Sequence, residues 1–155
     1  MTPFATILSH PDLAVHVREV GTSLLNPVMY LILDFHTALF PDIRYLPKSS
    51  TTQPHPEFIR DCTSALTLCN NLTSFTYSGV HLPPFLSSLQ NKPRLQHLRV
   101  NANLTIDQTA KLAEMNSLRT LILHHASWCV VDMLPKWIGL NKTTLTNLTL
   151  WVSFS

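Results

Sequence analysis

The segment Leu95-Gln-His-Leu98-Arg-Val100-Asn-Ala-Asn103 spaces three apolar residues and an asparagine as L-x-x-L-x-L-x-x-N, with Val100 in the third apolar place. Leu98 and Val100 flank one residue, so on an extended chain they share a face, while His97, Arg99 and Asn101 share the other. Leu95 enters from the preceding loop. The same spacing recurs on both sides of this stretch. Leu72-Thr-Ser-Phe75-Thr-Tyr77 precedes it, and Leu118-Arg-Thr-Leu121-Ile-Leu123 and Leu145-Thr-Asn-Leu148-Thr-Leu150 follow. The four segments start at 72, 95, 118 and 145, at intervals of 23, 23 and 27 residues. Only the second reaches the asparagine; Val80, Ala126 and Ser153 stand at that place in the others.

A period of roughly 20–29 residues carrying this pattern is the mark of a leucine-rich repeat, in which each unit buries its apolar residues against its neighbours. The intervening segments read as helices. Phe58, Cys62, Ala65, Leu66 and Cys69 fall on one side of a helix, with Pro56 suited to its first turn. Phe85, Leu86 and Leu89 form a shorter stripe after Pro83-Pro84. Ile106, Ala110 and Ala113 recur at helical spacing, with Thr105 or Asp107 placed to cap. Val130, Leu134, Trp137 and Ile138 do so after Ser127, with Pro135 weakening or kinking the helix. The expected fold is therefore α/β: a short leucine-rich-repeat solenoid or horseshoe, with parallel strands on a concave face and helices on the convex face. A doubly wound domain would want longer β-rich runs and a glycine turn after a strand, and neither is present.

The expected organisation is a single domain over 1–155. Residues 57–155 hold the clearer repeats. Residues 1–56 form a degenerate part in which Leu13, Val17 and Val20 read as a first repeat and Val28 to Phe35 as a further buried strand. Pro41, Pro47, Pro54 and Pro56, with Lys48-Ser-Ser-Thr-Thr-Gln53 among them, read as a loop over about 41–56.

Composition limits the function classes. Charged residues make up 13% of the chain against 45% hydrophobic, and the net charge is +2. So few charges suggest that some surface is normally covered. There is no basic run to bind nucleic acid or an anionic membrane. Three glycines leave no material for a glycine-rich nucleotide loop. Cys62, Cys69 and Cys129 are odd in number and widely spaced, which reads as buried thiols in a reducing compartment. No basic residue precedes Arg18 and the longest apolar stretch, Val28 to Leu33, is too short to span a bilayer, so an intracellular protein, cytoplasmic or nuclear, is expected.

In such a repeat the residues between and beside each apolar pair line the concave sheet face. They are Ser74, Thr76 and Ser78; His97, Arg99 and Asn101; Thr120, Ile122 and His124; and Asn147, Thr149 and Trp151. The candidate partner-binding set is His97, Arg99, Asn101, Thr120, Ile122, His124, Thr149 and Trp151, because Arg and Trp are the types most enriched at binding hot spots. A solvated face without a partner, or a Trp151 covered by further chain, is the alternative. His124 and His125, with Cys129 and Asp132, do not read as a metal site: adjacent residues of a strand point to opposite faces. No catalytic motif is present, the nine acidic residues are scattered, and neither an enzyme nor a cofactor is expected. Four N-x-[ST] sequons, at Asn71, Asn103, Asn141 and Asn147, read as repeat-turn residues, with Asn103 as the structural asparagine of its unit.

The opening run Leu8-Ser-His-Pro-Asp-Leu-Ala-Val-His-Val-Arg-Glu-Val20 resembles the entry into the leucine-rich-repeat region of fungal, mushroom-type F-box-like proteins. Cys69-Asn-Asn-Leu-Thr-Ser-Phe-Thr-Tyr77 and Pro93-Arg-Leu-Gln-His-Leu-Arg-Val100 are similar to repeats of that family. The likeness spans roughly residues 5–150 in repeat register. It implies a ribonuclease-inhibitor-like horseshoe and a role as the substrate-recognition part of an SCF-type ubiquitin ligase receptor. The partner would be a protein on the concave face, and the ligase adaptor would bind only through an F-box outside this chain. An F-box of about 40–50 residues does not fit ahead of Leu13, and no polar capping unit follows Trp151, so a truncated member or an incomplete gene model is expected, melting at low temperature or aggregating unless extended at its C-terminus. A free-standing repeat scaffold, and a truncated product without present function, are the other readings.

Overall fold

A computed structural model describes residues 3–23, 28–33, 56–82 and 84–152. The chain opens with helix α1 (Pro3–Ser9) and a short 3-10 helix (Pro11–His16) that lead into strand β1 (Val17–Ser23). Strand β2 (Val28–Leu33) follows, then α2 (Pro56–Leu68), β3 (Ser74–His81) and α3 (Phe85–Leu89). Next come β4 (His97–Asn103), α4 (Ile106–Ala113), β5 (Thr120–Ala126), α5 (Trp128–Asn141) and β6 (Asn147–Val152). The fold is α/β. Its sheet runs β2-β1-β3-β4-β5-β6, and the five strands β1, β3, β4, β5 and β6 are all parallel.

The strand expected over Val28 to Phe35 is present as β2 but runs antiparallel to β1 at the sheet edge, and Phe35 lies outside the described residues. The reason is chain length: four residues separate Ser23 from Val28, whereas a parallel return needs about a dozen or more. The loop expected over about 41–56 also lies outside the described residues, apart from Pro56, which opens α2. Val17 and Val20 are buried and set the register of β1 against β3, with Val20 opposite Phe75; Leu13 sits in the 3-10 helix instead.

The leucine spacing aligns across the sheet. Phe75, Leu98, Leu121 and Leu148 form one row of register partners, and Tyr77, Val100, Leu123 and Leu150 a second. One backbone bond recurs at each junction: Thr73 N–H donates to the Arg18 carbonyl, Gln96 to Thr73, Arg119 to Gln96 and Thr146 to Arg119, at 2.8–2.9 Å. These bonds start every strand level with its neighbour. The rows are sealed from β3 to β5, but Leu145, Leu148 and Leu150 stay half-buried, because β6 has a neighbouring strand on one side only among the described residues. Full burial of a leucine contributes about 1.5–3 kcal/mol, so this edge forgoes part of that stabilisation.

The helices form one layer on the side of these rows. Phe85 of α3 meets both Phe75 and Tyr77 edge-on, with ring centroids 5.9 and 5.8 Å apart. From α2, Cys62, Ala65 and Leu66 enter the same core, as does Cys69 just beyond it. Trp137 of α5 is fully buried, and its indole N–H donates to the Met115 carbonyl at 2.9 Å. The Asn141 amide adds donors to Met115 (3.2 Å) and Trp137 (3.0 Å), tying the end of α5 to the turn before β5.

Two helices differ in detail from the sequence expectation. In α4 only Ala113 of the expected stripe packs against the core: Ile106 is 72% exposed and Ala110 is exposed, while Thr109 and Leu112 are buried. Burying Leu112 removes more apolar area from water than Ala110 could, and the Thr109 hydroxyl is satisfied by the Thr105 carbonyl at 3.0 Å. A capping box holds this rotation. The Gln108 N–H donates to Thr105 Oγ1, Thr105 N–H donates to Gln108 Oε1, and the Gln108 amide reaches the Leu82 carbonyl at 2.6 Å. In α5, Val130, Leu134 and Trp137 are buried as expected but Ile138 is exposed; Pro135 lies inside the helix.

Candidate functional site

Along β4, and along β5 as far as His124, burial alternates residue by residue, so the rows on the helix side are matched by rows on the opposite, open face. The eight candidate residues all stand on that open face. His97 pairs with Thr120; Arg99 with Ile122, and Ile122 with Thr149; Asn101 with His124, and His124 with Trp151. His97, Arg99 and Trp151 are exposed, while Asn101, Thr120, Ile122, His124 and Thr149 are half-buried. Because parallel strands sit about 4.8 Å apart, the eight side chains form one continuous patch about three strands wide.

Each row extends toward the N-terminus. Ser74, Thr76 and Ser78 of β3 pair with His97, Arg99 and Asn101, and Glu19, Gly21 and Ser23 of β1 pair with those β3 residues. The Asn101 amide donates to Ser78 Oγ at 3.2 Å, which ties β4 to β3 on the open side. Glu19 was not singled out from sequence, yet its register makes it the carboxylate-bearing member of these rows. The signal for it was Val17-x-x-Val20, the apolar pair of a degenerate unit.

Electrostatics and stacking concentrate at the C-terminal ends of β5 and β6. The rings of His124 and Trp151 stack with centroids 5.7 Å apart and planes 6° from parallel. His124 Nε2 is sealed from solvent and has no hydrogen-bond partner among the described residues. Burial, then the positive charges of Arg99 and His125, hold the His124 imidazole below its usual 6.5. His125 next to it has φ 61°, the left-handed region, at the point where the β5–β6 register shifts between His124 and Ala126. For a residue with a Cβ that conformation costs of order 1–3 kcal/mol.

Other polar groups are absorbed by the fold. Lys92 is buried, its ammonium donating to the Thr67 carbonyl at 2.8 Å and to Asn70 Oδ1 at 3.3 Å, and burial pulls its pKa down. Burial pushes the Cys62 thiol up, with Cys69 adding to the effect; burial pushes Cys69 up to about 11 against the opposing charge of Lys92. Among the sequons, Asn71 donates its amide to the Val15 carbonyl at 2.8 Å, and Asn141 is buried. Asn103, the expected structural asparagine, is exposed, and its side chain makes no hydrogen bond among the described residues. No group of three His, Cys, Asp or Glu among the described residues is placed to hold a metal ion, and no described helix is long and apolar enough to cross a membrane. Compared with models of known families, with curated proteins and with solved structures, the chain finds no match.

Proposed function

We propose that the chain is a leucine-rich-repeat interaction module that captures a protein partner on its open, concave sheet face. The observation that carries this reading is the patch of His97, Arg99, Ile122, His124 and Trp151, set side by side by strand register on the face away from the core. An exposed arginine and an exposed tryptophan on a rigid sheet supply both anchor types most enriched at interfaces. The recurring junction bonds between Arg18, Thr73, Gln96, Arg119 and Thr146 support the repeat assignment, since each strand is added to the last in the same way. Recognition by shape and hydrogen bonding then needs no chemistry and no cofactor.

The resemblance to fungal F-box-like proteins extends the proposal: the captured protein would be a substrate presented to an SCF-type ubiquitin ligase. The test has two parts. A photo-reactive residue at Thr120 on the open face should cross-link a partner that the same residue at exposed Ala110 of α4 does not. The double change Arg99→Ala and His124→Ala should weaken capture, and unchanged capture would sink the assignment. Recovery of the ligase adaptor with the natural gene product would support the ubiquitin role; its absence leaves a free-standing scaffold.

A further inference from the structure

From β3 to β6 the open face is one-signed. Of its twelve positions on β3 to β6, none is a carboxylate, one is Arg99 and two are His97 and His124. Arg99 stands on a strand with neighbours on both sides, is exposed, and has no carboxylate partner among the described residues. Glu19 is the acidic residue on these rows, two strands away and in the His97 row, so about 12 Å from Arg99 at the level of the backbone. The guanidinium therefore makes no ion pair among the described residues, and on an exposed side chain its five donors are open to a ligand. Around it the face offers Ile122 and Trp151 as apolar contacts and the hydroxyls of Thr76 and Thr120 as small neutral donors, while the Thr149 hydroxyl donates to Asn147 Oδ1 at 3.3 Å.

We propose that the partner segment seated on this face is an acidic peptide, with a carboxylate over Arg99 and an apolar side chain between Ile122 and Trp151. This rests on the reading of the open face as a docking surface and adds the chemistry of what docks there. A carboxylate meets the arginine fork with two parallel hydrogen bonds, geometry that a neutral amide cannot match. The pair is weak in open water and gains strength as the peptide excludes solvent. A basic segment would be repelled by Arg99, and a nucleic acid would need a run of cations to follow its phosphates, whereas β3 to β6 present a single permanent cation on this face.

The intact chain is titrated with fluorescein-labelled peptides of about 8 residues, long enough to cross four strands. One alternates Glu and Leu, a second replaces Glu by Gln, and a third replaces Glu by Lys. The Glu peptide is expected to bind about tenfold or more tightly than the Gln peptide, with affinity falling as salt rises. Arg99→Glu should abolish that preference and confer binding of the Lys peptide. Arg99 is exposed, so this variant should keep the native circular dichroism spectrum. Equal binding of Glu and Gln peptides overturns the acidic assignment and leaves docking intact. So does failure of all three peptides while cross-linking from Thr120 persists. A single-stranded oligonucleotide that binds as well as the Glu peptide also overturns it, in favour of unspecific anion binding. Failure of both peptides and cross-linking removes the docking reading as well.

Discussion

His124 and Trp151 are register partners on adjacent parallel strands, and their rings stack 6° from parallel with 5.7 Å between centroids. The pair joins the last two strands across the open face, where Trp151 is otherwise 62% exposed. Such aromatic pairs are worth about 0.5–1.5 kcal/mol beyond area burial.

Because the His124 pKa is lowered in the folded state, the unfolded chain binds more protons between the folded value and about 6.5. Stability from this group is fully present above about 6.5 and is lost as pH falls through the lowered folded value. Arg99 and His125 work in the same direction as burial. The melting temperature of the wild type should therefore fall more steeply on acidification below about 6.5 than that of His124→Phe, which keeps a flat ring against Trp151. Parallel profiles for the two proteins would contradict this.

The two helix starts should respond differently to the same change. Thr105 closes a capping box, so Thr105→Ala is expected to cost about 1 kcal/mol in urea unfolding. Ser127 precedes α5, but its hydroxyl makes no cap bond and is buried without a partner among the described residues. Ser127→Ala should accordingly be near neutral or slightly stabilising. An equal loss at both positions would show that Ser127 caps α5 after all.

Rotation of α4 can be read by two truncations. Leu112→Ala removes a buried side chain and should cost about 2–5 kcal/mol. Ile106→Ala, at a position 72% exposed, should stay within about 0.5 kcal/mol. The reverse order of effects would place Ile106, and not Leu112, against the core.

Thiol accessibility gives a further check. Cys129 is exposed, while Cys62 and Cys69 are buried with raised pKa values that keep them protonated. A chromogenic disulfide reagent at neutral pH should titrate one thiol quickly in the native protein and all three in denaturant. Two or more fast thiols in the native state would mean that α2 does not seal the core.

The strands β3 to β6 and the open-face rows were legible in the chain because two short-range regularities agree. Leucine-type residues at a spacing of three and two mark where each strand begins and which face is inward, and the interval of 23 or 27 residues leaves room for one helix between strands. Helix α2 was legible for the same reason: Cys62, Ala65, Leu66 and Cys69 leave only one side that can be buried. What the tertiary structure alone decided lies where local pattern is ambiguous. In the eight residues of α4, both Ile106 and Leu112 could face inward, and the choice was made by the Thr105–Gln108 cap and the core it presents Leu112 to. Asn103 fits the repeat motif yet stays exposed, because a side chain is buried only if neighbouring chain supplies its partners. The antiparallel pairing of β2, the stacking of His124 on Trp151 and the lack of a carboxylate beside Arg99 among the described residues all involve neighbouring strands, and spacing along one strand does not specify what the next will bring alongside it.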